Sequence, residues 1–297
     1  MLLPVDLALL GFNAVLVVVW WPLLATEPTA RWVVGAHLAA TGLPLVLLAI
    51  PRTRHAGVAG LRELYPLVWL GLFWAELGMH YRFVHTAPND VLIAGLEQAM
   101  FGIQPSIVWR QTLPLPWLAQ LMYAAYLAYY LILAGVPLAI IALRGPRAVR
   151  SLVLRLSLTY LGCFLVYATF PVVGPLHFFE RHAGSGGLEA LEGAIRGAGD
   201  ALGTAFPSSH VAGSVTLAWL AWRWGPPAAG LVCGGLAAII AAAVVYTGNH
   251  FVVDSLGGGA VAALVLAVVA PALERLVGVI GFGERALRPS GAETLAT

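Results

Sequence analysis

The sequence predicts an all-α, polytopic membrane bundle of about eight transmembrane helices, and two observations carry that prediction. Sixty per cent of the 297 residues are hydrophobic against 10% charged, with a mean hydropathy of +0.86. Apolar stretches of roughly 20 residues, the length that crosses a hydrocarbon core, recur along the whole chain.

In order, the spans are expected at residues 3–25, 31–50, 65–84, 115–143, 151–173, 210–224, 228–246 and 250–272. The first has no basic region ahead of it and exceeds the core of a signal peptide, so it reads as a retained span. Arginines collect on one side of this arrangement. Arg52, Arg54 and Arg62 follow the second span, Arg144, Arg147 and Arg150 the fourth, Arg223 ends the sixth, and Arg275, Arg285 and Arg288 follow the eighth. Because positive loops stay cytoplasmic, both termini are expected inside and segments 85–114 and 174–209 outside. An integral protein of a bacterial plasma membrane is the expected setting. The chain divides into an N-terminal transmembrane hairpin at 1–60, a six-helix core at 61–278, and a polar, aperiodic tail at 279–297 that is expected to be disordered.

Composition also excludes classes. The formal charge is only +2, all sixteen basic residues are arginines, and they form no run, so no nucleic-acid partner is expected. Cys163 and Cys233 each fall inside an apolar span and read as packing residues, not as a disulfide or a metal pair.

Outside the spans, segment 89–103 reads as an amphipathic surface helix, with Asn89 as cap and Leu92, Leu96, Met100 and Ile103 on one stripe. Segment 187–202 is similar, and its Glu192 and Arg196 are spaced for an i,i+4 pair. Ser255, Gly258, Gly259 and Ala262 give the eighth span a small-residue face that lets helices approach closely.

Two polar motifs interrupt this pattern, both on the expected extracytoplasmic side. Ala205 to His210 reads AFPSSH and places Ser208 and Ser209 at the head of the sixth span, where a helix needs caps and offers N–H groups to an anion. Tyr246 to Asp254 reads YTGNHFVVD and sets His250 four residues before Asp254, so the two side chains share one helix face. Such a carboxylate can hold an imidazole's tautomer and support its positive charge. With His210 as a second imidazole and hydroxyl donors beside it, the set supplies nucleophilic phosphoryl transfer. A three-ligand zinc site is the rival chemistry. It is the weaker reading, since paired serines suit a phosphate better than a cation, and the expected chemistry requires no metal and no cofactor.

These residues resemble a known family. Pro207-Ser208-Ser209-His210 and His250-x-x-x-Asp254 are similar to the second and third signature motifs of the type-2 phosphatidic acid phosphatase superfamily of membrane lipid phosphatases and phosphotransferases. Two departures stand out: Ala243 and Val244 replace the Ser-Arg pair that precedes the third-motif histidine, and the lysine-containing first motif is missing, since the chain has no lysine. Residues 247–254 are similar to a motif of the aureobasidin-sensitive inositol phosphorylceramide synthases, which also lack that arginine. Phe170-Pro171-Val172-Val173-Gly174-Pro175 resembles another segment of that branch, as do, less specifically, Phe101-Gly102, Pro105-Ser106 and Tyr123, Tyr126, Tyr129 and Tyr130.

The resemblance implies an enzyme in which His250 attacks phosphorus, Asp254 orients it and His210 protonates the leaving alcohol. Ser208 and Ser209 would bind the phosphate. A phosphodiester carries one negative charge where a monoester carries up to two, so the missing arginine favours head-group transfer from a phospholipid donor to a lipid or polyol hydroxyl. Arg82, Arg110 and Arg181 all fall on the expected active side, and Arg82 and Arg110, which flank the segment resembling the family, are the candidate replacements for it. The alternatives are a phosphatase acting on phosphatidic acid or an isoprenyl pyrophosphate, and a non-catalytic lipid-binding or transport protein.

Overall fold

Residues 3–49, 56–84, 89–177, 186–199 and 201–286 are described by the structure, a computed structural model. Among them the chain is helical throughout, with a single isolated bridge between Val172 and Thr204. Among the described residues five helices are long and apolar enough to cross a membrane: Pro4–Ala25, Pro116–Leu143, Arg147–Thr169, Pro227–Tyr246 and Val252–Gly278. Asp90–Phe101 and Pro105–Thr112, bent 61° to one another, make a sixth if taken as one broken span. The protein is therefore an integral membrane bundle. Three further expected spans coincide with helices outside this set. Two of them, Pro28–Ala49 (α2) and Ala56–Val84 (α3), carry a buried His37–Glu76 pair, and the third, Ser209–Trp224 (α9), has only 16 residues.

The remaining helices are α1 (Pro4–Trp20), α4 (Asp90–Phe101), α5 (Pro105–Thr112), α6 (Pro116–Leu143), α7 (Pro146–Thr169), α8 (Gly187–Gly199), α10 (Pro227–Tyr246), α11 (Val252–Leu264) and α12 (Ala270–Ala286). Prolines start α5, α6, α7 and α10 at positions where the missing N–H costs nothing. A π-helical turn at Val265–Val269 joins α11 to α12. α12 runs to Ala286, past the expected start of the tail, while Arg52, Arg54, Arg181 and Arg288 lie outside the described residues.

α9 is the central element, packed against α6, α7, α10 and α11. Its buried residues, from Ser209 through Val211, Ala212, Gly213, Ser214, Thr216, Leu217, Leu220 and Ala221, go all round the helix. That burial demands small residues where neighbours come close. A side chain at Gly213 would collide with the Tyr160 hydroxyl, and one at Gly258 of α11 with the Ser208 carbonyl. The expected small-residue face is thus real at Gly258, joined by Ser255 and Ala262, whereas Gly259 faces open space.

The surface helix α4 is inverted relative to a water-soluble one. Its stripe of Leu92, Leu96 and Met100 is exposed, as is Ile103 beyond it, and its buried positions are Asp90, Ile93 and Glu97. An apolar exposed face suits contact with lipid. Asn89 stands at the N-cap but its side chain donates to the Pro171 carbonyl (3.1 Å) instead of capping the helix.

Candidate active site

The segment after α7 stitches the site together. Its backbone is held on one side by α4: Asn89 N–H donates to the Pro171 carbonyl (2.9 Å), and the Asp90 carboxylate accepts from Val173 N–H (2.9 Å) and Gly174 N–H (2.7 Å). On the other side Ala205 N–H donates to the Val172 carbonyl (2.8 Å), which fixes the start of the AFPSSH motif. Gly174 has φ +95°, and a Cβ on it would lie 3.0 Å from the Asn249 carbonyl oxygen and 3.1 Å from Ala205 Cβ. Only glycine fits where the two motifs meet.

The first motif then opens α9. Ser208 is the N-cap, fully buried, its Oγ accepting from Val211 N–H (3.4 Å). Its own N–H donates to the Asp254 carbonyl (2.9 Å), a direct backbone tie to the second motif. Tyr167 Oη donates to the Pro207 carbonyl (2.7 Å).

The second motif leaves α10 through Gly248, at φ +76°, and both Asn249 N–H and His250 N–H turn back to the Val244 carbonyl (3.1 and 3.0 Å). The chain then enters α11, whose first N–H groups are satisfied by two buried carboxylates. Asp254 Oδ2 accepts from Phe251 N–H (2.8 Å), and Glu97 Oε1, reaching across from α4, accepts from Val252 N–H (2.6 Å). Negative charge at this helix end is favoured by the helix dipole.

His250 is thereby held at the junction. Its Nδ1 lies 2.9 Å from the Ala205 carbonyl oxygen and 3.4 Å from Asp254 Oδ2. A carbonyl oxygen only accepts, so Nδ1 carries the proton and Nε2 keeps the lone pair. The expected orienting carboxylate is present, but the shorter contact is to a backbone carbonyl of the other motif.

His210 faces His250 with ring centroids 5.8 Å apart. Its ring lies among three tyrosines of α6: Tyr126 (4.8 Å, stacked), Tyr129 (4.3 Å) and Tyr130 (5.9 Å, edge-on). Both of its ring nitrogens are buried and neither makes a hydrogen bond among the described residues. Tyr129 and Tyr160 are hydrogen-bonded hydroxyl to hydroxyl at 2.6 Å. Both histidines and Ser209 line a cavity of about 480 Å³ that extends from them between α3, α6 and α7 as far as Leu67, Leu133 and Leu156. Five residues of α6, Tyr126, Tyr129, Tyr130, Leu133 and Pro137, border it, over about 16 Å of helix. Its walls are mostly aliphatic and aromatic.

The structure brings His210, His250, Asp254 and Ser209 together and places the other candidates elsewhere. Ser208 caps α9 and does not line the cavity. Arg82 is exposed on the last turn of α3, also off the cavity wall. Arg110 donates to Glu189 (3.0 Å) and to Tyr123 Oη (3.0 Å), a structural tie between α5, α6 and α8 away from the histidines. Among the described residues the arginine that does line the cavity is Arg196, and it is paired with Glu192 at 3.5 Å, as their spacing predicts. Sequence reasoning missed Asp90 and Glu97, and it named the tyrosines only through the family resemblance, not as a wall around His210. The tyrosines had a signal, since positions 126, 129 and 130 share a helix face; the two acids had none, because their partners lie 83 to 155 residues away.

Among known proteins, the model of the PAP2 superfamily matches residues 92–268, a stretch that contains both motifs and the helices between them. No curated protein and no solved structure matches the chain significantly. A match over more than half of the sequence, on the segment that builds the two-histidine cavity, establishes that this chain belongs to the PAP2 superfamily of membrane lipid phosphatases and phosphotransferases and is an enzyme of that kind.

Proposed function

We propose that the protein transfers a phospho-alcohol head group from a phospholipid donor to a lipid or polyol hydroxyl through a histidine nucleophile. The observation that carries this reading is the fixed tautomer of His250, with Nδ1 on the Ala205 carbonyl, set across from His210 in one apolar cavity. His250 Nε2 attacks phosphorus and the bond from phosphorus to the lipid alcohol breaks, leaving the head-group phosphate on the imidazole. His210, protonated, gives its proton to the departing alkoxide. The acceptor hydroxyl then attacks phosphorus, returns a proton to His210 and releases His250. Asp254 stabilises the charge on His250, and Ser209 with the first turn of α9 receives the phosphate oxygens.

The choice of a diester is supported by the charges. Among the described residues Arg196 is the lone arginine lining the cavity and it is already paired, so the site meets a singly charged phosphate better than a dianion. The test uses purified protein in liposomes, comparing head-group exchange between phosphatidylinositol and an added lipid alcohol with free phosphate release from phosphatidic acid or an isoprenyl pyrophosphate. Exchange that is lost in His250→Ala supports the transferase. Phosphate release lost in the same variant makes the enzyme a phosphatase and overturns the preference.

A further inference from the structure

The end of the bundle opposite the histidines carries a second polar site. On α9, Arg223 lies about 20 Å from His210 by helix rise. Around it are two adjoining hollows of about 550 and 390 Å³ that share Arg147, Arg223 and Trp224. Their charges do not cancel. Arg150 is paired with Glu63 (3.2 Å), and Arg155 with Glu274 through both Nη atoms (2.8 and 3.1 Å). Arg144, Arg147 and Arg223 have no carboxylate partner among the described residues; Arg223 rests over the Trp224 ring at 4.6 Å. Arg155 is 8% exposed and its Nε is a buried donor with no acceptor among the described residues, on the wall of the larger hollow. The start of α7 adds the positive end of a helix dipole. Behind this charge the larger hollow has an apolar side formed by Val5, Val153, Leu154 and Val277, with the arginine-paired Glu63 and Glu274 also on its wall.

A basic mouth on an apolar recess between transmembrane helices is the complement of a phosphate ester attached to an acyl chain. We infer that this end of the bundle binds an anionic phospholipid, with the phosphate on Arg144, Arg147 and Arg223 and a chain along α1, α7 and α12. The excess of arginine puts the site in the cytoplasmic leaflet, where such lipids collect. It is separate from the catalytic cavity and does not depend on which head group that cavity handles.

The probe is native mass spectrometry and thermal unfolding of the full chain released from nanodiscs of phosphatidylglycerol, of phosphatidylcholine, or of phosphatidylcholine with inorganic phosphate. Wild type is expected to retain phosphatidylglycerol in preference and to unfold at a higher temperature with it. Arg147→Gln with Arg223→Gln is expected to hold that lipid about thirtyfold less tightly, from two arginine contacts. Arg31→Gln, on α2, is the charge control and keeps it. Equal retention of the two lipids by wild type, or undiminished retention by the double variant, overturns the proposal. Stabilisation by inorganic phosphate as large as that by phosphatidylglycerol overturns the lipid as the source and assigns the pocket to free phosphate. If the double variant does not fold, the wild-type lipid preference and its loss in high salt decide the matter.

Discussion

Replacing Gly258 by alanine tests whether the contact between α9 and α11 sets the distance between the two histidines. A methyl group at Gly258 would overlap the Ser208 carbonyl oxygen and lie 3.2 Å from Ala212 N, both backbone atoms of α9 that cannot rotate aside. The helices must separate, a strain of about 1–3 kcal/mol. Gly259→Ala is the internal control, one residue along the same helix with nothing within 4 Å of the added carbon. Both changes gain roughly 1 kcal/mol of helix propensity, so the difference between them isolates the contact. Gly258→Ala should therefore unfold about 2–10 °C below Gly259→Ala, by thermal unfolding in one detergent. The same separation pulls on the bond from Ser208 N–H to the Asp254 carbonyl and moves His250 away from His210. A displacement near 1 Å costs on the order of a hundredfold in rate. Gly258→Ala that matches Gly259→Ala in both stability and turnover would refute the reasoning.

Other predictions rest on single side chains. Glu97→Ala leaves Val252 N–H without its buried acceptor and should lower stability by about 1–3 kcal/mol and kcat more than KM, while Glu97→Gln, which keeps an acceptor, should recover most of both. His210→Asn should reduce turnover by about 10²–10⁴-fold and slow formation of phosphorylated His250, whereas His250→Asn should leave no labelled protein after acid-sensitive phosphohistidine trapping. In the N-terminal helices His37 Nε2 is 3.0 Å from Glu76, whose Oε1 also accepts from Trp20 Nε1 at 2.6 Å. Removing one member, as in Glu76→Leu, should cost about 3–5 kcal/mol, and the double change with His37→Leu should cost less than the sum of the two. Additive costs in that cycle would show that the pair is not coupled.

What the sequence made legible was local. The heads of α9 and α11 followed from caps and from a four-residue spacing, because those signals act within one helical turn. The relation between helices was legible only in kind. A small-residue face on α11 was apparent, but which glycine met α9 depended on the rotation of the helix, and Gly258 rather than Gly259 took that place. On α4 the apolar stripe identified the helix without revealing its sense: next to lipid the stripe turns outward and Asp90 and Glu97 turn in. The arginines were the least legible. Arg82 and Arg110 were chosen by the side of the membrane they were expected to face, and nothing near position 110 announces Glu189, 79 residues on.

The pattern of fixed charge bears on the choice of substrate. Around His250 the structure buries three carboxylates, Asp90, Glu97 and Asp254, each accepting from backbone N–H groups. Glu97 and Asp254 occupy the N-terminal end of α11, which would otherwise be a ready seat for a phosphate. Among the described residues an entering phosphate is left with the first turn of α9, Ser209 and the two imidazoles, and Arg196 on the cavity wall is paired with Glu192. A dianion brought into such a site meets low dielectric and uncompensated negative neighbours, and each added charge raises that cost steeply. A monoanionic diester would avoid the second charge altogether, and the apolar slot along α6 would offer room to a chain of the lipid that carries it. The same accounting makes an arginine introduced at Val244, the position from which the family's usual arginine is missing, a direct probe of the reading. If charge sets the choice, Val244→Arg should raise phosphate release from phosphatidic acid relative to head-group exchange, and a proportionate fall in both activities would instead mark position 244 as a packing site.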